Sequence, residues 1–424
     1  MIKSVSKLNS HLKGSITIPP DKSLSHRAVI LASLANGKSI IKNFSSGKDP
    51  LSSLTICNLL GVNYERNNDL IIINSTGKLS APKTSLDCGN SGTTMRFMSG
   101  ILAGQNFNSI LTGDESLSKR PMKRIIEPLS LMGAEIESND FKAPLKIRGK
   151  QLTSINYTSK LASAQVKSCI LLAGLNCDGK TSFTEPYPSR DHTERMLKYM
   201  GADISSENNI VTVSKSKLEP KTIEICGDIS SAAYFICAAL IVPDSEIILK
   251  NIGLNPTRTG ILEVVHKMGA NIEILDKKTI CNEEVGDIKI SYSNLKACTI
   301  EGEIIPKLID ELPVIAVLAT QTEGTTIIKD AQDLRNKESD RISAVVNELK
   351  KIGADISETP DGFIINGKTK LTGGCEVNTY NDHRLAMSLY VAGLVSEKPV
   401  VINGFEWVNI SFPEFENLFF QIIK

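Results

Sequence analysis

One phrase returns five times along the chain: LLGVNY, LMGAEI, YMGADI, KMGANI and KIGADI, with glycines at Gly61, Gly133, Gly201, Gly269 and Gly353. In each, an amphipathic stretch runs into a glycine suited to the left-handed position that follows a helix, and an apolar, strand-like segment comes next. The preceding helices align as well: KDPLSSLTICNLLG, RPMKRIIEPLSLMG, SRDHTERMLKYMG, TRTGILEVVHKMG and SDRISAVVNELKKIG. A sixth, SFPEFENLFFQIIK, ends the chain where its own glycine would fall. A second, more Ala-rich helix precedes each of these: DKSLSHRAVILASLANG, NSGTTMRFMSGILAG, SAQVKSCILLAGL, DISSAAYFICAALI, DELPVIAVLATQTEG and NDHRLAMSLYVAGLV. Twelve helices in two classes, with strands between them, predict six copies of one α/β unit. A single copy cannot bury both faces of its strands, so copies must pack together. The period alone allows one ring of six or two groups of three.

At 424 residues the chain is long enough for two or three domains with substantial cores. Lys and Arg number 48 against 47 Asp and Glu, so no global field points to nucleic acid or an anionic membrane as partner. Any cationic site must be local. Nine cysteines without a C-x-x-C pair fit neither a disulfide framework nor a zinc site and read as reduced, packed thiols. The start MIKSVSKLNSHLKGS has no apolar leader region, and the longest apolar run, Tyr234 to Val242, is far short of the ~20 residues of a membrane span. A cytoplasmic protein is expected.

Equivalent loops of packed repeats emerge on one side, and the starts of the six Ala-rich helices are unusually polar. They carry Lys22, Ser23 and Arg27; Asn90, Ser91, Gly92, Thr93 and Arg96; Ser163, Gln165 and Lys167; Ser230 and Ser231; Asp310 and Glu311; and Asp382, His383 and Arg384. The other helix class adds Lys119, Arg120, Arg190, Asp191 and Arg341, with Lys337 just upstream. A helix N-terminus offers free N–H donors worth about 0.3–1 kcal/mol to an anion. Clustered Lys and Arg add more, about 4 kcal/mol for a pair ~4 Å apart at an effective dielectric of ~20. Lone polar residues at helix starts are commonly caps, and Ser230 and Ser231 read as no more than that. His26, His192 and His383 share no metal-binding spacing and read as hydrogen-bonded structural histidines.

Two matches to the phosphate-loop pattern, GLNCDGKT from Gly174 and GFIINGKT from Gly362, do not stand between a strand and the helix it opens, and both read as turns. No H-E-x-x-H, D-x-D or G-x-S-x-G occurs, so metal-hydrolase and acyl-serine chemistry lack support.

The segments DKSLSHRA, LDCGNSGTTMR, SKRPM, SAQVKS, SRDHTE, RNKESDR and YNDHRLAM occur in this order over nearly the whole chain. Together they resemble the 5-enolpyruvylshikimate-3-phosphate (EPSP) synthase family, and GNSGTTMR and SAQVKS look more like its second sequence class than its first. The resemblance implies an α/β protein with a two-domain inverse β-prism type fold, each domain made of three βαβαββ repeats. One domain would span residues 21–226 and the other residues 1–20 plus 227–424, with the active site in the cleft between them. It implies transfer of the enolpyruvyl group of phosphoenolpyruvate to the 5-hydroxyl of shikimate 3-phosphate with release of phosphate, without cofactor or metal, by a protein expected to be a monomer.

Carried over by position, Lys22, Ser23, Arg27, Ser163, Ala164, Gln165, Ser189, Arg190, Asp310 and Lys337 match the shikimate 3-phosphate site. Lys22, Gly92, Arg120, Gln165, Arg341 and Arg384 match phosphoenolpyruvate contacts. Asp310 is the expected base for the attacking hydroxyl, and Glu338 and Lys22 are the expected proton carriers at the enol carbon. One departure stands out: where the first class has a lysine shortly before the terminal S/T-F-P, this chain has Ile410. The related UDP-N-acetylglucosamine enolpyruvyl transferase relies on a loop cysteine, which the segment from Thr112 to Met122 lacks. A non-catalytic anion-binding repeat protein is disfavoured by Asp310 and Glu338, since carboxylates oppose anion binding. Nucleotide hydrolysis is a poorer third option.

Overall fold

Alternation and left-handed glycines shape the chain copy by copy. In the strand Lys142–Arg148 every second residue, Ala143, Leu145 and Ile147, is buried, as one packed sheet face requires. The five repeat glycines all have positive φ, between 84° and 105°, where a side chain would be strained. The computed structural model describes all 424 residues, and all twelve expected helices are present in it. The chain divides into two compact units: Pro20–Ile225 with Ile280–Glu283, and Met1–Pro19 with Cys226–Thr279 and Glu284–Lys424.

The 20–225 unit holds three four-stranded sheets of one design. Asn36–Lys42, Leu70–Thr76 and Asn63–Asn67 form the antiparallel part of the first, Asn108–Thr112, Lys142–Arg148 and Glu135–Asn139 that of the second, and Lys180–Thr184, Ile210–Ser214 and Ile204–Glu207 that of the third. A parallel strand flanks each. Leu86–Asp87 and Asn156–Thr158 flank the second and third sheets, while the first receives Thr222–Glu224 from the far end of the unit, in register Ile223↔Ile41. The unit is therefore closed on itself by its own last strand.

The other unit repeats the design with strands from both ends of the chain. Lys13–Thr17 pairs parallel with Glu246–Gly253 in its first sheet, and Ile2–Val5 pairs antiparallel with Val400–Asn403 in its third. The third sheet has three strands, with Val400–Asn403 between Ile2–Val5 and Cys375–Asn378.

The Ala-rich helices Lys22–Leu34, Gly92–Ala103, Ala164–Gly174, Ile229–Ile241, Leu312–Thr320 and His383–Val395 are the inner ones. They are buried nearly all round, so their small residues serve close helix packing. A Cβ on Gly100 would lie 2.2 Å from the carbonyl oxygen of Cys169 on the neighbouring inner helix. The two phosphate-loop look-alikes are turns or strand: the first links Ala164–Gly174 to Lys180–Thr184, and the second runs along Gly362–Gly367.

Candidate active site

In the 20–225 unit the beginnings of the three inner helices are tied together. Asp21 caps Lys22–Leu34 by accepting from the Leu24 amide at 2.7 Å, and Ser91 caps Gly92–Ala103 by accepting from the Thr94 amide at 3.1 Å. Arg96 donates to Gln165 Oε1 at 2.6 Å, and Gln165 Nε2 donates to Thr93 Oγ1 at 2.9 Å, joining the second and third starts. Arg27 is buried: Nε donates to Thr193 Oγ1 at 2.7 Å, one Nη to the Ser23 carbonyl at 2.9 Å and the other to Ser168 Oγ at 3.1 Å, with the guanidinium over the ring of Phe97. Lys22 pairs with Asp49 from the outer helix Lys48–Leu59. Arg120 donates to Asn90 Oδ1 at 2.7 Å and to Ser116 Oγ at 3.2 Å. A Cβ on Gly92 would meet Arg96 Nη1 at 2.6 Å and Arg120 Nη1 at 3.6 Å, so the missing side chain keeps room for two guanidiniums beside the backbone. Arg190 stands in the turn just before the helix His192–Tyr199, and Ser163 and Ala164 open the third inner helix.

In the 226–424 unit a carboxylate lies among three cations. Lys337 Nζ, Arg341 Nη1 and Arg384 Nη2 approach Asp310 at 3.5, 3.3 and 3.8 Å. Arg341 also bonds Asp382 through Nε at 2.7 Å and Glu338 through Nη2 at 2.5 Å. Asp382 in turn caps the helix His383–Val395, accepting from the Arg384 amide at 2.9 Å. Burial opposes charge on Arg341, yet Asp382 and Glu338 more than offset it and hold the guanidinium above its ordinary pKa. Asp382 is the mirror case: burial pushes it up, but Arg341 outweighs that and its pKa ends below the usual carboxylate value. The loop bearing Lys337 and Glu338 is braced by Arg335, which donates to Asp340, Glu358 and the carbonyls of Thr359 and Pro360 at 2.8–2.9 Å.

A sequence profile of the EPSP synthase (3-phosphoshikimate 1-carboxyvinyltransferase) family matches residues 7–419. The chain belongs to that family. It is 54% identical over 422 residues to a 3-phosphoshikimate 1-carboxyvinyltransferase of Thermodesulfovibrio yellowstonii, covering 97% of this chain and 98% of that one. It is 50% identical over 420 residues to one of Petrotoga mobilis, covering 97% of each. The solved EPSP synthase of Acinetobacter baumannii superposes with a TM-score of 0.89 at 42% identity, over 100% of this chain and 98% of that one. The enolpyruvyl transferase NikO of Streptomyces tendae, at 15% identity and a TM-score of 0.79 over 99% and 97% of the two chains, shares the fold. The fold is thus the two-domain α/β architecture of repeated βαβαββ units found in this family.

Several expectations need correction. Lys167 is not an open cation at a helix start: it is buried with Glu185 and Glu194 at 2.7 and 2.8 Å. Ser230 and Ser231 are not caps; Asp228 caps that helix, and the Ser230 hydroxyl stands between Arg258 and the carboxylate of Glu311. Lys119 and Arg120 end a separate short helix, Glu115–Lys119, and do not start the outer helix, which runs from Lys123 to Leu131. The predicted site residue Ser189 lies in a buried position, with its hydroxyl donating to Glu185 Oε2 at 2.6 Å, and its assignment is a proposal taken up below. Ile410 needs no correction: in place of the first class's lysine it is a buried apolar side chain at the end of the 3-10 helix Phe405–Ile410.

Sequence reasoning missed Asp49, Glu185, Glu194 and Asp228, the carboxylates that hold the cations, and also Arg335 and Arg258. Arg258 could have been found: like Arg190 in SRD, it lies eleven residues before its repeat glycine, at the entry to an outer helix. It is buried against Asp228 Oδ1 at 3.3 Å and Ser230 Oγ at 2.5 Å.

Proposed function

We propose that this chain transfers the enolpyruvyl group of phosphoenolpyruvate to the 5-hydroxyl of shikimate 3-phosphate and releases phosphate. The observation that carries this is identity of about half over 97% of the chain to proteins named for that reaction. Each substrate bears a carboxylate and a phosphate, which explains local cations in a protein of net charge +1. Lys22, Ser23, Arg27, Ser163, Ala164, Gln165, Ser189, Arg190, Asp310 and Lys337 are assigned to shikimate 3-phosphate. Lys22, Gly92, Gln165, Arg120, Arg341 and Arg384 are assigned to phosphoenolpyruvate.

The oxygen of the 5-hydroxyl attacks the enol carbon while its proton passes to Asp310, and the methylene carbon gains a proton from Glu338 or Lys22. In the second stage both roles reverse: the methyl carbon returns a proton to Glu338 or Lys22, Asp310 gives its proton to the departing phosphate, the carbon–oxygen bond to phosphate breaks and the enol ether forms. The setting of Asp310 fits such a sequence. Three cations within 4 Å stabilise negative charge at its carboxylate before substrates arrive. Substrate anions that engage Lys337, Arg341 and Arg384 would withdraw that stabilisation, and Asp310 would gain basicity when the hydroxyl needs it. Lys22 must likewise exchange Asp49 for a substrate anion.

The decisive assay is phosphate release from phosphoenolpyruvate that depends on added shikimate 3-phosphate; release without the acceptor, or none with it, overturns the assignment. Asp310→Asn should lower kcat by about 10²–10⁴-fold while substrate binding persists. Near-normal turnover would remove Asp310 from the role of base. We further propose a cytoplasmic monomer that uses no cofactor. No helix is long and apolar enough to cross a membrane, and sedimentation at working concentration tests the oligomeric state.

A further inference from the structure

A fully buried ion cluster lies behind the turn that carries Arg190, and the chemistry above makes no use of it. Lys167 Nζ, on the inner helix Ala164–Gly174, donates to Glu185 Oε1 at 2.7 Å, pairs with Glu194 Oε1 at 2.8 Å and reaches the Ser189 carbonyl at 3.2 Å. Glu185 Oε1 also accepts from the Ser189 amide at 2.9 Å, and its Oε2 accepts from the Ser189 hydroxyl at 2.6 Å. The side chains of Lys167, Glu185 and Glu194 are only 2%, 2% and 8% exposed. Burial works against the charge of Lys167, but Glu194 and Glu185 overcome it and hold the ammonium above its ordinary pKa.

Buried ions are a poor route to stability, because well-packed apolar side chains of similar volume often do as well or better. Their geometry offers another use. Ser189 is gripped at all three of its polar groups, amide, carbonyl and hydroxyl, and Arg190 is the next residue. The same helix carries Ser168, whose hydroxyl bonds Thr193 Oγ1 at 2.6 Å, and these two hydroxyls hold Arg27. Thr193 and Glu194 are adjacent on the helix His192–Tyr199. Two arginines assigned to shikimate 3-phosphate are therefore referenced to one buried frame, Arg27 through hydroxyls and Arg190 through a charged clamp. A multiply charged phosphate rewards cations held at fixed separation, since bidentate charge-assisted bonds depend on geometry.

We infer that Glu185, held by Lys167, is a positioning residue that sets the Ser189–Arg190 turn on the phosphate of shikimate 3-phosphate. This rests on the function proposed above. Ser189 then acts through the shape of the turn, its hydroxyl being committed to Glu185.

The test is calorimetric binding of shikimate 3-phosphate and of unphosphorylated shikimate to the full-length protein, alongside steady-state kinetics. Glu185→Gln keeps the volume but removes the charge that gathers three donors. Kd for shikimate 3-phosphate should rise about tenfold or more, the effect of losing a charge-assisted contact. Kd for shikimate should stay within about twofold, and kcat at saturation should persist. Glu185→Asp, which keeps the charge but draws it back from Ser189, should shift the same constant in the same direction by less, and it carries the test if Glu185→Gln does not fold. Unchanged binding of shikimate 3-phosphate, or equal losses for both ligands, overturns the inference. Failure of the functional assignment is a separate outcome, seen as wild-type protein that releases no phosphate with both substrates present.

Discussion

His26 stands in the first turns of the Lys22–Leu34 helix, wholly buried, with Nδ1 bonded to Ser53 Oγ at 2.8 Å. Burial is the main cause that drives its pKa down from 6.5 to about 3; Asp49 pulls it up, and Lys22 and Arg27 press it further down. The folded protein thus keeps this ring neutral while the unfolded chain protonates it below about pH 6.5, so the unfolded state binds more protons and acid favours it. The contribution is absent above pH 6.5 and grows as pH falls toward 3, amounting to about 2 kcal/mol between pH 7 and pH 5. His26→Gln should flatten the fall of the urea midpoint over that interval, and parallel wild-type and variant profiles would show that the ring is not responsible. Cations such as Lys22 and Arg27 were legible because they recur at equivalent helix starts. Asp49, Glu185 and Glu194 were not, since a lone carboxylate in an outer helix or a loop carries no local sign of the partner that folding brings to it.

The inner helices tolerate no added volume where they cross. Gly100 faces the Cys169 carbonyl so closely that even one methyl group, 2.2 Å from that oxygen, must push the helices Gly92–Ala103 and Ala164–Gly174 apart. Those helices also present Arg96 and Gln165, which bond each other at their starts. Gly100→Ala should therefore cost about 1–3 kcal/mol or more in denaturant unfolding and weaken phosphoenolpyruvate binding as well; a variant that unfolds early but binds normally would uncouple helix spacing from the site. Helices and their terminal glycines were readable because periodicity and φ preference act within a few residues. Strand partners were not. Ile223 beside Ile41, and Ile2 opposite Asn403, are pairings set by how copies close on one another, and nothing local in either strand announces them.

Closure differs between the two units, and their folding should differ with it. Residues 20–225 form one contiguous stretch that supplies every strand of its three sheets, the closing strand Thr222–Glu224 included. Residues 226–424 lack two strands of theirs, and with Met1–Pro19 absent they would also lose the buried Val5, Leu12, Ile16 and Ile18. Four such side chains contribute about 6–12 kcal/mol of burial, comparable with the 5–15 kcal/mol by which a whole domain is stable. Two sheets would also be left with open edges along Glu246–Gly253 and Val400–Asn403. A 20–225 fragment should unfold cooperatively in urea, losing the contacts of the short segment Ile280–Glu283, such as His192 Nδ1 to Glu283 at 2.8 Å and Arg195 to the Asn282 carbonyl at 3.0 Å, whereas a 226–424 fragment should show no cooperative transition until a peptide of residues 1–19 is added. A cooperative transition of the 226–424 fragment alone, unmoved by the peptide, would mean that the first nineteen residues decorate this unit and do not complete it.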